Sequence, residues 1–151
     1  MVWSCLVSIL PGMAQTEKLT DYVNPFVGTD GYGNVYPGAQ IPFGGIQISP
    51  DTDSRFYDAA SGYKYNHLTL MGFSLTHLSG TGIPDLGDFL FIPGTGEMKL
   101  EPGTHEDPDQ GYRSRYSHDK EWASPNYYAV ELADYGVKAE MTSGVRSGMF
   151  R

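Results

Sequence analysis

Cysteine is almost absent from this chain: Cys5 stands alone among 151 residues, so no intramolecular disulfide can staple the fold. Positive charge is scarce as well. Ten lysines and arginines stand against eighteen aspartates and glutamates, for a net charge of −8. With no basic stripe either, a nucleic-acid phosphate backbone is excluded as a partner. Long apolar runs are missing too, and residues 2–10, the most apolar stretch, fall well short of the ~20 residues that cross a bilayer. No segment sustains the apolar period of an amphipathic helix, and no internal repeat emerges. What the chain has instead is nineteen glycines, ten prolines and eleven tyrosines, the composition of a β-rich, turn-rich domain. Its length suits one domain with a real core rather than two.

The apolar residues 2–10 run into Pro11-Gly12-Met13-Ala14, which places small residues third and first before a cut ahead of Gln15. Residues 1–14 therefore read as a secretory signal peptide. It is an atypical one, because no lysine or arginine precedes Lys18. Val2-Trp3-Ser4-Cys5 is not a lipoprotein box, since no apolar run leads into it.

Residues 21–26 form a short extended entry ended by Asn24-Pro25, and residues 27–39 form a glycine-rich loop. The spacing Gly28-x-x-Gly31-x-Gly33 is not a nucleotide loop, because neither a lysine nor a helical pattern follows. Residues 41–49 alternate around Ile46 and Ile48 and predict a strand, with Gly44-Gly45 marking a bulge or a close backbone approach. A turn is expected over 50–54, then an aromatic, polar connection over 55–65 in which Tyr63 and Tyr65 share a face. Strands are predicted over 67–75 and 89–92, and an acidic, solvated loop over 104–110. Residues 112–117 alternate Tyr112, Ser114 and Tyr116 with Arg113, Arg115 and Ser117, a strand with one basic face.

The clearest element is a hairpin. Tyr128, Val130 and Leu132 share a face, Tyr135-Gly136 turns the chain, and Val137, Ala139 and Met141 return. Residues 145–151 read as one more strand, expected to be the open edge of a truncated domain. The fold class is all-β, an antiparallel β-sandwich.

Site chemistry concentrates in residues 72–92, above all between His77 and Asp88. His77 sits between Leu75 and Leu78 and suits either a satisfied core histidine or a ligand-facing one. Asp85 and Asp88 can accept sugar hydroxyls or coordinate a hard cation such as Ca2+, or they can make Asx turns into the strand at Phe89. Ser79 and Thr81 offer hydroxyls between glycines, but Leu78-Ser79-Gly80 lacks the strand–elbow–helix context of a nucleophilic serine. His67 and His77 have no metal-ligand spacing, and His105 and His118 lie in polar, surface-like surroundings. Glycoside hydrolysis needs two carboxylic acids across a sugar, and no pair here is marked as tuned for it.

Taken in order, Tyr22-Val23-Asn24-Pro25-Phe26-Val27-Gly28-Thr29, Tyr36-Pro37-Gly38-Ala39, Pro42-Phe43-Gly44 and Gln47-Ile48-Ser49-Pro50-Asp51-Thr52 resemble the opening of the family 92 glycoside hydrolases. Ser61-Gly62-Tyr63, Gly72-Phe73-Ser74, Thr76-His77-Leu78-Ser79-Gly80-Thr81-Gly82 and Asp85-Leu86-Gly87-Asp88 continue the likeness. Tyr112-Arg113-Ser114, Ser117-His118, Ala123-Ser124-Pro125, Tyr127-Tyr128 and Asp134-Tyr135-Gly136 extend it, so that it spans residues 19–151. The family comprises bacterial exo-α-mannosidases that depend on Ca2+ and invert configuration. Its members pack an N-terminal β-sandwich on a large (α/α)6 barrel, which carries the general acid, the base and most calcium ligands.

The resemblance implies that this chain is the N-terminal sandwich without the barrel. It would be exported to the periplasm or cell surface of a bacterium, with a mannose-containing glycan as partner and the barrel as a second partner. No catalytic residue is expected here. The substrate-contact candidates are His77, Ser79, Thr81, Asp85 and Asp88, with Asp30 and Asn34 from the first glycine-rich loop. Leu75, Tyr32, Asn34 and Lys64 depart from histidines frequent in the family, which implies a changed substrate contact or linkage preference. A stand-alone carbohydrate-binding β-sandwich module without hydrolase activity is the alternative.

Overall fold

The predicted hairpin forms the centre of the larger of three antiparallel sheets. The computed structural model describes residues 17–53, 55, 57–85 and 87–151, so the stretch 1–14, expected to be a signal peptide, lies outside it. Eight strands follow in chain order: β1 Ser49–Asp51, β2 Thr69–Leu70, β3 Gly72–Ser74, β4 Ser114–Arg115, β5 Glu121–Ser124, β6 Tyr127–Leu132, β7 Val137–Ser143 and β8 Gly148–Phe150. The first four pair across long distances in sequence, β1 with β3 and β2 with β4, while β5-β6-β7-β8 form a four-stranded meander. The described helical segments are short 3-10 turns, and the fold is an all-β antiparallel sandwich.

Local chemistry explains the meander. β5 and β6 pair from Glu121↔Val130 to Ser124↔Tyr127, joined through Pro125 and Asn126. Proline presets the first position of such a turn, and Asn126, at φ 61, takes the left-handed second position that asparagine tolerates. Asn126 Oδ1 also accepts from the Ser143 backbone N–H at 3.0 Å and its hydroxyl at 2.7 Å, tying the turn to β7. β6 meets β7 from Tyr128↔Met141 to Leu132↔Val137, and Gly136, at φ 63, closes that turn. β7 alternates inward and outward residues, whereas the central β6 is buried on both faces at Tyr128, Ala129 and Val130.

The core lies between this sheet and the smaller ones. Tyr128, Val130, Leu132, Ala139 and Met141 pack against Ile48, Tyr63, Leu70, Phe73 and Tyr116. Burying a large apolar side chain of this kind is worth about 1.5–3 kcal/mol.

Several predicted boundaries are corrected. The expected strand at 41–49 survives as a single bridge, Ala39↔Ile48, before β1 begins at Ser49. Pro42 and a turn closed by Gly44 N–H to the Ile41 carbonyl at 3.0 Å, with Phe43 at φ 58, break it. Pro50 and Asp51, expected in a turn, belong to β1, which has a strand neighbour on one side only; edge positions of that kind tolerate proline. The strand expected over 67–75 splits at Met71, because β2 joins β4 while β3 joins β1. Residues 89–92 contribute only the bridge Phe73↔Phe91.

The basic face expected over 112–117 is divided. Arg113 is buried and donates from Nη1 to the Thr52 carbonyl at 2.6 Å, while Arg115 lies outside between Asp109 and Asp134. Tyr63 and Tyr65 part company as well, one in the core and one at the surface.

Candidate functional site

A cavity of about 160 Å3 opens where the end of β1, the end of β3 and the loops at 60–62 and 85–90 meet. Asp51, Ser61, Gly62, Ser74, His77, Asp85 and Asp88 line it with Met71 and Leu90. The β1–β3 register sets Asp51 opposite Gly72 and Ser49 opposite Ser74. Gly62, at φ +88, lets the next loop close in: a Cβ there would fall 2.3 Å from Asp51 Oδ1 and 3.0 Å from the His77 ring. The Gly62 carbonyl accepts from Thr52 N–H at 2.7 Å, fixing that loop beside β1.

His77 is the hub. Its Nδ1 lies 2.8 Å from the Gln47 carbonyl, which can only accept, so Nδ1 carries a proton. Its Nε2 lies 2.9 Å from Asp51 Oδ1 and 3.0 Å from Ser74 Oγ. Burial, the largest influence, works to lower the imidazole pKa, but the Asp51 charge, its hydrogen bond and the Gln47 contact together raise it above the ordinary value. Nε2 and Asp51 stand at ion-pair distance, with both side chains almost wholly buried, and the pair carries opposite charges when the ring is protonated. It is not a nucleophile relay, because Ser74 and Asp51 compete for the same ring nitrogen while the other faces a backbone carbonyl. The ring of Tyr36 lies over His77 with centroids 5.1 Å apart, and burial pushes its hydroxyl up to about 12. Asp51 Oδ2 and Ser49 Oγ meet no hydrogen-bond partner among the described residues.

The candidate residues fall into two groups. His77, Asp85 and Asp88 line the cavity. Asp88, at φ 45, accepts from Thr76 Oγ1 at 2.7 Å, and Gly87 N–H donates to the Thr76 carbonyl at 2.9 Å, which folds the 85–88 loop back onto β3. Ser79, Thr81, Asp30 and Asn34 instead belong to a neighbouring junction of loops. Gly80 N–H donates to the Asn34 carbonyl at 2.7 Å, and the buried Asn34 side chain accepts from Ala60 N–H at 3.1 Å. Ser79 and Asp30 are exposed, Asp30 holding Gly31 N–H at 2.8 Å, while Thr81 is half-buried. The exposed rings of Tyr32 and Tyr57 stand 5.9 Å apart at this junction, with Gly82 packed against Tyr57.

Reasoning from sequence singled out neither Asp51, Gly62 nor Ser74 as a site residue. Each nevertheless lay inside a motif carrying the family resemblance, and Asp51 was obscured by the turn expected at Pro50.

A second buried carboxylate lies in the core, away from this cavity. Glu121 Oε1 accepts from Tyr63 Oη at 3.0 Å and Tyr128 Oη at 2.5 Å, and Oε2 lies 2.6 Å from His118 Nδ1. The other His118 nitrogen meets the Tyr65 carbonyl at 2.7 Å, and its ring stacks on Tyr65 at 3.9 Å. His118, expected at the surface, is thus half-buried. His105 is half-buried too: its Nδ1 lies 2.8 Å from Thr69 Oγ1, and its Nε2 lies 3.5 Å from Asp53 Oδ2, an ion-pair separation without hydrogen-bond geometry. Burial is the largest influence on Asp53 and opposes its charge, but His105 and the Arg55 fork overcome it and hold the carboxyl well below the usual range.

Calcium requires six to eight converging oxygens. Among the described residues no three histidine, cysteine or acidic side chains are placed to hold an ion together. Asp51, Asp85 and Asp88 therefore do not fit a Ca2+ site of their own. No helix among the described residues is long and apolar enough to cross a membrane.

The sandwich belongs to a known class. The glycosyl hydrolase family 92 N-terminal domain matches residues 22–151, and the chain belongs to that family. It is 32% identical over 123 residues to an uncharacterized secreted glycosidase of Arthroderma benhamiae, covering 80% of this chain and 15% of that one. The solved family 92 glycosyl hydrolase ccman5 superposes with a TM-score of 0.71 at 32% identity, over 87% of this chain and 18% of that one. An inverting mannosidase of the family from Bacteroides thetaiotaomicron shares the fold, with a TM-score of 0.60 at 23% identity, over 89% of this chain and 18% of that one. The chain thus spans only a small part of the length of the relatives it matches.

Proposed function

We propose that this chain acts as the N-terminal β-sandwich of an exported, inverting α-mannosidase, forming one wall of the pocket that receives a mannose residue of a glycan. The observation that carries the reading is the cavity at the end of β1, which lies within the stretch matched to the family and is lined by Asp51, Ser61, Ser74, Asp85 and Asp88. Carboxylate and hydroxyl groups around so small a space suit the hydroxyls of one sugar residue. His77 is committed to Asp51 and Gln47, so the chain supplies recognition and positioning rather than an acid–base pair.

The acid and base are assigned to a C-terminal (α/α)6 barrel, as the family resemblance implies. Ca2+ belongs with them in this reading, as the family resemblance implies; among the described residues no three acidic, histidine or cysteine side chains are grouped to hold an ion. Export is supported by likeness to a relative described as secreted.

Incubating the 151-residue protein with aryl and disaccharide α-mannosides and added Ca2+ tests the division of labour. No turnover is expected, and robust hydrolysis would overturn it. A folded protein that binds no hexoside would overturn the sugar-facing role.

A further inference from the structure

Leu90 and Met71 are the large apolar side chains that line the cavity, beside three carboxylates and two serines. Leu90 stays 41% exposed, and a surface leucine is ordinary in itself. This one is held in place from two directions. Phe91, the next residue, exchanges both backbone hydrogen bonds with Phe73, at 2.8 and 2.9 Å. The Leu90 side chain lies over Gly72, where an added Cβ would fall 2.9 Å from Leu90 Cγ and 3.0 Å from Cδ1. Gly72 is the residue that the β1–β3 register sets opposite Asp51, so the missing side chain at 72 makes the room that Leu90 occupies beside the cavity.

The rest of the lining differs in kind. Asp85 and Asp88 are exposed, and they come from the loop that Thr76 folds back onto β3. An ionised carboxylate only accepts hydrogen bonds, so these two call for hydroxyl donors. A fixed apolar side chain calls for C–H surface, and little ordering remains to be paid when the contact forms. A pyranose ring offers both, hydroxyls along its edge and C–H groups on its faces. A metal ion has no apolar face, and a purely apolar ligand has no donors for the carboxylates.

We propose that Leu90 is a substrate-contact residue, its methyl groups packing on a C–H face of the bound hexose while the hydroxyl edge meets Asp85 and Asp88. This rests on the sugar-facing role proposed above. Gly72 serves the same contact, because any side chain there would displace Leu90.

Titrating the wild-type protein and Leu90→Ala with methyl α-D-mannopyranoside, followed by NMR, tests the assignment. Leu90→Ala is expected to bind about tenfold more weakly, the low end for apolar groups lost from a pocket wall. With the wild type saturated, nuclear Overhauser effects should join the Leu90 methyls to ring C–H protons of the sugar, a signal that a merely structural leucine would not give. Equal affinity of the two proteins, or Leu90 methyls that show no contact with the saturating sugar, overturns the assignment and leaves the sugar-facing role intact. If the wild type binds no hexoside, that role falls first and this inference with it. The methyl contact is read on the wild type, so it decides the matter even where Leu90→Ala does not fold.

Discussion

Two of the buried carboxylates that stand beside a histidine, Glu121 and Asp51, differ in their surroundings. Glu121 is surrounded by donors: two tyrosine hydroxyls reach Oε1 and His118 reaches Oε2. Asp51 has one oxygen held by His77, and the other, buried, meets no donor among the described residues. A buried charge with its hydrogen bonds complete fixes a fold, whereas one with an oxygen unmet carries a desolvation cost. Burial alone does not separate the two residues, since each is under a tenth exposed. The count of donors does.

The contrast is broken most forcefully at Glu121. Glu121→Ala strands the Tyr63 and Tyr128 hydroxyls in the core, and removing one side of such a network is expected to cost about 3–5 kcal/mol. Differential scanning calorimetry should show a large fall in Tm, and a variant that melts like the wild type would contradict the structural role. Gly62→Ala comes next. Its Cβ would lie 2.3 Å from Asp51 Oδ1 at a φ of +88, so about 1–3 kcal/mol of overpacking is expected, with loss of hexoside binding. Retained binding would show that the cavity is not the sugar's place.

The smallest effect sharpens the comparison through pH. His77 has its pKa raised by the folded state, so its pairing with Asp51 contributes fully below the ordinary histidine value of about 6.5 and is lost as pH rises through the raised one. The Tm difference between wild type and His77→Gln should therefore narrow as pH rises through that interval. A difference independent of pH would mean that the ring is neutral throughout.

The hairpin was legible in the sequence because its information is local: Tyr128, Val130 and Leu132 alternate, and Gly136 supplies the turn. β1 to β4 were not, since each is only two or three residues long and finds its partner far along the chain, as Ser49 does Ser74. Alternation cannot be read from so few positions. His77, Asp85 and Asp88 were legible as one group because a single glycine-rich loop carries them. Asp51 was not, because its pairing with His77 exists only once β1 lies beside β3. Glu121 drew no attention, since nothing near it in sequence shows that Tyr63 will reach its carboxylate.

Tyr63 has a mechanical consequence. Its hydroxyl is anchored to Glu121 on β5, while one peptide bond away Gly62 lines the cavity so close to Asp51 and the His77 ring that no Cβ fits there. The large sheet and the cavity floor are thus joined by a strut one side chain long. Shortening that side chain would therefore remove a core hydrogen bond and loosen a loop that lines the cavity in one step.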